Sequence, residues 1–224
     1  MARSRNARTL APDQARRVYD RIGSLQDSQA FYEDRATDLL VEYGEFASAR
    51  RVFEFGCGTG RFAARLLAQE LPFEAAYDAV DLSPNMVRLA KERLAPFAPR
   101  VRVEVSDGGP SLDEPSDSFD RFVSTYVLDL LSEEDIAAVV GEAHRILEPG
   151  GLLCLSSLST GSGAASRLTA RLWSLVHRLS PSLVGGCRPL DIADHLPTKG
   201  WKIRHHARVA PFAIPSEVVV AERV

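Results

Sequence analysis

The sequence has few of the features that mark secreted, membrane-spanning or metal-binding proteins. Its three cysteines, at positions 57, 154 and 187, are isolated and odd in number, which gives no sign of a disulfide framework and favours a reducing compartment. No run approaches the roughly 18 apolar residues that span a bilayer, and no apolar signal core follows the arginines near the N-terminus. His205 and His206 would point to opposite faces of a strand and could not share a metal. We therefore expect a cytoplasmic protein with no bound metal.

Apolar strand-like runs alternate with helical patterns through most of the chain. The strand-like runs are 51–55, 76–81, 101–106, 119–124 and 152–158, and the helical patterns lie near 61–70, 84–95 and 133–147. This alternation predicts a parallel sheet with crossover helices, and 224 residues with 45% hydrophobic content suffice for one α/β domain. Ser83 before Pro84, and Ser132 before an acidic first turn, mark two helix starts.

The most informative stretch is 52–60, where an apolar strand runs into a glycine loop. Gly56, Gly58 and Gly60 stand at alternate positions, so the loop can adopt positive φ angles and let a ligand touch backbone. Phosphate-binding glycine patterns do not fit, and Arg61 occupies the position of the third glycine in the dinucleotide pattern, which disfavours an NAD-dependent oxidoreductase. Glu54 would repel a pyrophosphate but attract a ligand with an ammonium and a sulfonium group. The loop therefore predicts a cationic ligand.

Four further motifs follow the glycine loop in order. They are Ala-Val-Asp-Leu-Ser at 79–83, Val-Arg-Val-Glu-Val-Ser-Asp-Gly at 101–108, Asp-Ser-Phe-Asp-Arg-Phe-Val-Ser at 117–124 and Leu-Glu-Pro-Gly-Gly at 147–151. Together the five segments resemble the class I S-adenosylmethionine (SAM) dependent methyltransferases. The resemblance implies SAM as the cofactor and S-adenosylhomocysteine as its product, with Asp81 on the ribose hydroxyls and Asp107 on the adenine amino group. The cofactor-binding residues that it implies are Glu54, Gly56, Cys57, Gly58, Gly60, Asp81, Leu82, Met86, Asp107, Gly108 and Ser124.

Each of these motifs also has a purely structural interpretation. Glu54 could be a surface charge beside an ordinary strand-to-helix turn, and Asp81 could cap the helix that starts at Pro84. Asp107 precedes two glycines and could serve only as a turn former. These alternatives stay open on the sequence alone.

The resemblance also implies an architecture. It predicts an α/β, Rossmann-like, seven-stranded and mostly parallel sheet with an antiparallel closing strand and a helical substrate lid, in which 201–209 and 217–224 form the closing pair. Residues 1–45 are then a helical substrate-facing segment, and residues 46–224 are the SAM-binding domain with a lid insertion at about 159–199. Ligands of such sheets bind beyond the carboxyl ends of the strands at the switch point, where the predicted cofactor residues fall.

The acceptor side of the site is less strongly marked. Candidate substrate-facing residues are Tyr19, Tyr32, Thr125, Tyr126, Trp173 and Arg188. The catalytic residue is unknown, with Tyr126 and Asp129 as candidates from the end of the fourth strand, although Asp129 could equally cap a helix. The aromatic residues could instead be core packing. Holding two reactants in line removes much of the barrier to methyl transfer, so a base is optional.

The branch of the family and its partners follow from the remaining features. The N-terminal Tyr19-Asp20 pair before the glycine motif resembles the ubiquinone/menaquinone-biosynthesis methyltransferases and the related soluble phospholipid N-methyltransferases. We expect transfer to an O, S or N nucleophile of a small, lipophilic acceptor; phospholipid amine methylation at a membrane surface and a non-catalytic SAM-binding regulator are the alternatives.

Residues 124–127, Ser-Thr-Tyr-Val, lack the Asn/Asp-Pro-Pro-aromatic motif, which disfavours nucleic acid as acceptor. Basic residues at both ends, which could be only solvated faces, suit peripheral membrane contact. Nothing in the sequence sets the oligomeric state.

Overall fold

A computed structural model describes residues 9–224, apart from the side chains of residues 24 and 25. The helices are α1 (Pro12–Ile22), α2 (Ala30–Tyr43), α3 (Arg61–Arg65, continued by a π-helical turn at Leu66–Glu70), α4 (Pro84–Leu94), α5 (Glu133–Ile146) and α6 (Ala164–Leu179). The strands are β1 (Arg51–Phe55), β2 (Ala76–Asp81), β3 (Val101–Val105), β4 (Phe119–Thr125), β5 (Leu147–Leu158), β6 (Trp201–Val209) and β7 (Ser216–Arg223). Short 3₁₀ helices, including Gly23–Gln29 and Pro211–Ala213, connect several of these elements.

The seven strands form one sheet in the order β3-β2-β1-β4-β5-β7-β6. Strands β1 to β5 pair in parallel, whereas β7 is antiparallel to both β5 and β6. This arrangement confirms the predicted Rossmann-like, mostly parallel sheet with an antiparallel closing strand. The strand order reverses between β1 and β4, so the loops after these strands diverge and leave a crevice.

Burial on both faces explains why the central strands are continuous apolar runs. Every residue of β4 except the last is buried, and β1 is buried after its first residue. One apolar cluster covers each face of the sheet, with Val52 and Val123 on one side and Phe53 and Phe122 on the other.

Local signals fix the helix starts as the sequence predicts. The Ser83 hydroxyl accepts a hydrogen bond from the Met86 amide at 3.1 Å, and Ser132 accepts one from the Asp135 amide at 3.1 Å. Several boundaries shift by one residue, and the largest difference is at β5, which begins at Leu147 rather than at residue 152. The residues between include Gly150 at φ +83°, and a bulge lets Leu147 pair with Phe119 before the regular ladder starts at Leu152.

The predicted division into a segment 1–45 and a domain 46–224 stays a prediction, and its first eight residues lie outside the described part of the chain. Helix α6 occupies the middle of the predicted insertion at 159–199. Across residues 9–224, no helix is long and apolar enough to cross a bilayer.

Candidate active site

A cavity lies at the carboxyl ends of β1, β2 and β4, where the strand order reverses. The glycine loop and the turns after β2 and β4 form its floor, while α1, the 3₁₀ helix Gly23–Gln29 and α2 contribute the opposite walls. Eight of the eleven predicted cofactor-binding residues line it: Glu54, Gly56, Cys57, Gly58, Asp81, Leu82, Met86 and Gly108. That these residues bind a cofactor stays a prediction, but all eight line the same cavity.

The three loop glycines have different surroundings although all have positive φ. A Cβ on Gly56 would lie 2.3 Å from Val127 Cγ2, and one on Gly60 would lie 3.1 Å from the Ala90 Cα in α4. A Cβ on Gly58, at φ +52°, would meet no described atom within 4 Å. Gly56 and Gly60 are therefore required by packing, whereas at Gly58 the space beside the backbone belongs to the cavity.

Glu54, the penultimate residue of β1, is fully buried and lines the cavity. Its Oε2 accepts a hydrogen bond from the Tyr77 hydroxyl at 3.0 Å, while Oε1 has no hydrogen-bond partner among the described residues. Burial raises the pKa of Glu54 to about 7, an effect that the Tyr77 hydroxyl opposes. An unpartnered buried oxygen of this kind suits a cationic ligand group, since pairing would remove its desolvation penalty.

Asp81 at the end of β2 holds the glycine loop against the start of α4. Its Oδ2 accepts from the Gly58 amide and its Oδ1 from the Ser83 amide, both at 2.8 Å. Burial raises the pKa of Asp81, and the hydrogen bonds from these two backbone amides offset part of that rise. The helix-cap interpretation does not apply to α4, because the hydroxyl of Ser83 makes that bond. Asp81 still lines the cavity, so its carboxylate is accessible to a ligand.

The other three predicted cofactor residues lie outside the cavity wall. Gly60 packs on α4, and the Ser124 hydroxyl is buried beneath the floor, where it donates to the Phe55 carbonyl at 2.9 Å. Asp107 is exposed, and its Oδ1 accepts from the Gly109 amide at 2.8 Å, the geometry of a turn former. Its neighbour Ser106 lines the cavity instead.

Helix α1 covers one side of the cavity and is held by polar contacts. Pro12, Ala15 and Tyr19 line the cavity, although no side chain of this fully described helix is buried. Asp20 anchors the helix because its Oδ1 accepts from the Ser83 hydroxyl at 2.6 Å and its carbonyl accepts from Asn85 Nδ2 at 3.1 Å.

A second polar contact ties the 3₁₀ helix to the glycine loop. Asp27 accepts from the Thr59 hydroxyl and from Arg93 of α4, each at 2.6 Å. Burial opposes ionisation of Asp27, but these partners lower its pKa overall. Sequence patterns did not single out Asp27 or Thr59. Asp27 lies 32 positions from Thr59 and 66 positions from Arg93 in the chain, so no short motif contains these contacts.

Glu33 of α2 is a cavity-lining carboxylate that the sequence analysis missed. Its Oε2 lies 3.5 Å from Arg61 Nη2, and Oε1 has no hydrogen-bond partner in the described part of the chain. Burial raises the pKa of Glu33 to about 7, against the lowering effect of Arg61. A group with this pKa can exchange a proton near neutral pH. The only sequence signal was a carboxylate directly after the apolar pair Phe31 and Tyr32.

Three of the predicted substrate-facing residues line the cavity. Thr125 and Tyr126 do so from the end of β4, and Tyr19 does so from α1. Tyr126 has the left-handed φ of +56°, which is uncommon outside glycine and concentrates at functional sites. Its hydroxyl shares a hydrogen bond with Ser216 at 2.8 Å, and burial raises its pKa well above the usual value. Tyr32 is buried behind it, with its ring edge-on to Tyr126 at 5.9 Å between centroids.

The remaining predicted residues lie outside the cavity wall. Asp129 is fully buried in the 3₁₀ turn after β4, where Oδ2 accepts from the Leu158 amide at 3.3 Å, and burial raises its pKa to about 7. Arg188 donates to the Leu131 carbonyl at 2.8 Å and to Glu133 at 3.0 Å. Trp173 of α6 donates to the Cys187 carbonyl at 3.0 Å. These bonds attach the loop at 185–190 to the rest of the domain.

Most of the charged side chains in the cavity wall are acidic. Its carboxylates are Asp27, Glu33, Glu54, Asp81 and Asp135, and its only cationic side chain in the described part of the chain is Arg61. Such a potential favours cations and disfavours anionic ligands. The buried unpartnered oxygen of Glu54 and the open space at Gly58 both fit SAM, which carries an ammonium and a sulfonium group.

Comparison with known proteins agrees with this geometry. Residues 52–151, somewhat less than half of the chain, match a family of methyltransferase domains. The ubiquinone/menaquinone biosynthesis C-methyltransferase UbiE of Geobacter sulfurreducens is 30% identical over 138 residues, covering 61% of this chain and 51% of that protein. The malonyl-[acyl-carrier protein] O-methyltransferase of Laribacter hongkongensis is 32% identical over 153 residues, covering 65% of this chain and 48% of its own length. The chain thus spans about half the length of these relatives.

A solved structure extends the likeness to nearly the whole chain. The [4+2]-cyclase SpnF superposes with a TM-score of 0.74 at 18% identity, covering 97% of this chain and 98% of that chain. At this identity the likeness concerns the fold. Together with the sheet order and the glycine loop, the match of residues 52–151 to a methyltransferase domain confirms the resemblance of this chain to the class I SAM-dependent methyltransferases, and its relatives include a ubiquinone/menaquinone-type enzyme.

Proposed function

We propose that this protein transfers a methyl group from SAM to an O, S or N nucleophile of a small, lipophilic acceptor. The observation that carries the proposal is the joint presence, in one cavity, of the unpartnered Glu54 oxygen, the open space at Gly58 and the accessible Asp81 carboxylate. SAM, when bound, supplies an electrophilic methyl on a sulfonium whose positive charge is lost on transfer.

On the cofactor side, the proposal gives each residue a binding role. Glu54 pairs with the ammonium of the ligand, Gly58 lets the ligand lie against backbone, and Asp81 accepts the ribose hydroxyls. Leu82 and Met86 supply apolar surface for the adenine ring. These groups already line a common wall, so binding requires little reorganisation of the floor.

The acceptor is proposed to be apolar in bulk and not anionic. Apolar side chains line the side of the cavity formed by the N-terminal segment and the turn after β4, namely Leu10, Pro12, Val127, Leu130 and Leu131. The excess of carboxylates there disfavours a phosphate or carboxylate on the acceptor. A phenol, thiol or amine satisfies both conditions.

Glu33 is the proposed proton acceptor on this side. Glu33 would accept, at Oε1, the proton that an O, S or N nucleophile loses when the methyl group of bound SAM is transferred to it. A carboxyl with a pKa of about 7 is half ionised at neutral pH and can therefore take that proton. Arg61 beside Oε2 orients the group.

Binding is tested first by calorimetry with SAM, S-adenosylhomocysteine and NADH. Micromolar binding of the first two, and weak or no binding of NADH, supports the proposal. Tight NADH binding without SAM binding would refute the cofactor assignment.

Turnover is tested with methyl-labelled SAM and fractionated cell extract, and the labelled product is identified by NMR. Label on oxygen, sulfur or nitrogen of an apolar small molecule supports the proposal. Label on carbon would overturn the acceptor atom, a competing outcome because one relative is named a C-methyltransferase. Label on phospholipid amines would select the membrane-surface alternative, and SAM binding without transfer to any pool would select the regulator. For the identified acceptor, Glu33→Gln should lower kcat by about a hundredfold or more while leaving the Kd for SAM within a few-fold.

A further inference from the structure

Helix α6 carries a row of exposed leucines that the proposed active site does not use. Leu168, Leu172, Leu175 and Leu179 are 59%, 56%, 52% and 77% exposed. Their spacing of four, three and four residues sets them on one side of the helix, and we call this row the leucine face. The opposite side of α6 contains the buried Ala170 and His177. The leucine face is therefore directed away from the protein core.

The apolar surface continues beyond the helix at two points. Leu183, in the 3₁₀ helix that follows α6, is 74% exposed. Phe212 lies in the turn Pro211–Ala213, which contacts both α6 and α2, and its ring is 76% exposed. Phe212 adopts φ +54°, a left-handed conformation that costs a bulky residue strain. Its ring packs edge-on against the exposed ring of Phe31 at 5.4 Å between centroids. This number of exposed large apolar side chains on α6 and on the two turns that contact it favours an interaction site.

The charge around the leucine face has one sign. Arg167, Arg171 and Arg178 are exposed on α6, and the 100° rotation per residue puts all three on the same flank of the leucine face. Residues 159–190 contain no Asp or Glu, although the whole chain has a net charge of −3. The positive flank is thus a local feature of this segment. An amphipathic helix with leucines on one side and arginines beside them has the composition of helices that lie in the interface of an anionic bilayer.

Pairing with a second copy fits these charges less well. A symmetric dimer through the leucine face would bring two rows of arginines together, and α6 offers no carboxylate to neutralise them. Anionic lipid headgroups would neutralise the exposed arginines on the flank of the leucine face.

We propose that α6, with Leu183 and Phe212, seats this protein on the surface of membranes that contain anionic lipid. The proposal rests on the proposed function in one respect, since a lipophilic acceptor dissolved in the bilayer gives the protein a reason to bind there. Two series of residue contacts lead from α6 and Phe212 toward the acceptor side of the cavity. In the first, Trp173 donates a hydrogen bond to the Cys187 carbonyl, and Cys187 Sγ lies 3.8 Å from the hydroxyl of the cavity residue Tyr19. In the second, Phe212 contacts Phe31, which packs on Tyr32.

The test is sedimentation of the full-length protein with sucrose-loaded vesicles, one set of phosphatidylcholine and one with phosphatidylglycerol added. We expect binding to the anionic vesicles at low salt, weaker binding at physiological salt, and little binding to phosphatidylcholine alone. The double variant Leu172→Ser/Leu179→Ser should reduce the bound fraction about tenfold or more. The triple variant Arg167→Gln/Arg171→Gln/Arg178→Gln should remove the dependence on anionic lipid and on salt.

Phe73→Ser is the matched control. Phe73 is 83% exposed beside Arg100, but it precedes β2, which lies on the other side of β1 and β4 from β5, the strand that α6 follows. This variant should bind vesicles as the wild type does. Failure of the wild type to sediment at low salt, or equal binding by the leucine variant, overturns the proposal. A wild-type dimer in sedimentation velocity that the leucine variant converts to monomer would assign the face to a second copy and would also overturn it.

Calorimetry with SAM on the same proteins separates the two proposals. Loss of vesicle binding with SAM binding retained is the result expected for the leucine variant, because α6 contributes no residue to the described cavity wall. If the wild type binds vesicles but does not bind SAM, the proposed function is wrong and the proposed membrane binding by α6 is retained.

Discussion

At the residue scale, the site depends on which atoms of the glycine loop face protein and which face open space. Gly56 and Gly60 meet neighbouring side chains or backbone within 3.1 Å of a hypothetical Cβ, whereas Gly58 meets none of the described atoms. Substitutions at the three positions therefore test different properties: packing at the first two, ligand space at Gly58.

Gly58→Ala should leave the protein folded and weaken SAM binding by about tenfold or more, because the added methyl occupies the ligand's space. The positive φ alone costs about 1–2 kcal/mol of stability. Gly150→Ala is the control, since Gly150 also has positive φ and open surroundings but lies outside the cavity. Both variants should lose similar stability in urea unfolding, and only the first should lose affinity by calorimetry. An unchanged Kd in Gly58→Ala would mean that the ligand does not approach this backbone.

The pH dependence of SAM binding should report on Glu54. Its pKa of about 7 means that the carboxylate form, which attracts the ligand's ammonium, becomes dominant as pH rises. Affinity should therefore increase between pH 6 and 8. Glu54→Gln should reduce affinity at pH 8 by about tenfold or more, the loss of one charge-assisted hydrogen bond, and should flatten the increase. The ligand's own amino group titrates equally with both proteins, so the difference between them isolates Glu54. Glu33→Gln should retain the wild-type slope; a flattened slope there instead would assign the titration to the acceptor side.

Asp129 should make stability fall as pH rises. Its folded pKa of about 7 lies above the ordinary value of 3.8, so the folded state retains a proton between about pH 4 and 7 that the unfolded chain releases. Stability from this group is complete below pH 4 and is lost through pH 7. Asp129→Asn cannot ionise and should gain up to about 4 kcal/mol relative to wild type between pH 4 and pH 8. Urea unfolding at several pH values measures this gain, with the exposed Asp13→Asn as control. A constant difference between variant and wild type would show that Asp129 is already ionised at low pH.

At the scale of elements, the two walls of the cavity differ in how they are held. The floor belongs to the central sheet, whose strands are buried on both faces. Helix α1 instead has no buried side chain and depends on the bonds of Asp20 to α4. An element with few buried apolar contacts opens at low free-energy cost. We infer that α1 is the part of the site that moves when the cofactor enters and leaves.

Asp20→Ala should accelerate amide hydrogen exchange in α1 and speed SAM dissociation, while exchange in α4 changes little because Ser83 still caps that helix. Arg17→Ala, on the exposed side of α1, is the control. Mass-spectrometric hydrogen exchange and stopped-flow dissociation measure the two effects. Equal protection of α1 in Asp20→Ala and wild type would show that other contacts hold the helix.

At the scale of the whole molecule, the cofactor should link regions that are distant in the chain. The cavity wall draws on residues from 9 to 135, so a ligand there contacts the N-terminal helices, the glycine loop and the turn after β4 at once. Ligand binding to the folded state alone must raise the stability of the whole unit.

S-adenosylhomocysteine at a hundredfold excess over its Kd should stabilise the protein by about 2.7 kcal/mol and raise Tm by roughly 5–10 °C. Differential scanning calorimetry measures the shift, with NADH at equal concentration as the control ligand. A shift that NADH reproduces would argue against specific recognition of the cofactor.

The sequence by itself determined the features that depend on neighbours in the chain. Apolar runs specify the central strands because β1 and β4 are buried along nearly their whole length, and Ser83 and Ser132 cap helices through bonds to residues three positions on. The glycine loop after β1 is likewise marked locally, by three glycines at alternate positions. These signals, read with the family resemblance, were sufficient to predict the sheet and eight of the residues that line the cavity.

Only the tertiary structure decided the features that depend on distant partners. Glu33 reaches Arg61 across 28 positions, and Tyr126 reaches Ser216 across 90, so no short pattern marks either contact. Asp107 follows β3 as the motif predicts, yet its carboxylate bonds the Gly109 amide beside the cavity. The leucines of α6 have the spacing of an ordinary core-facing helix, and only the packing of α6 on its opposite side leaves them in solvent. Burial and charge environment are properties of the assembled chain, because they depend on which elements the fold brings into contact.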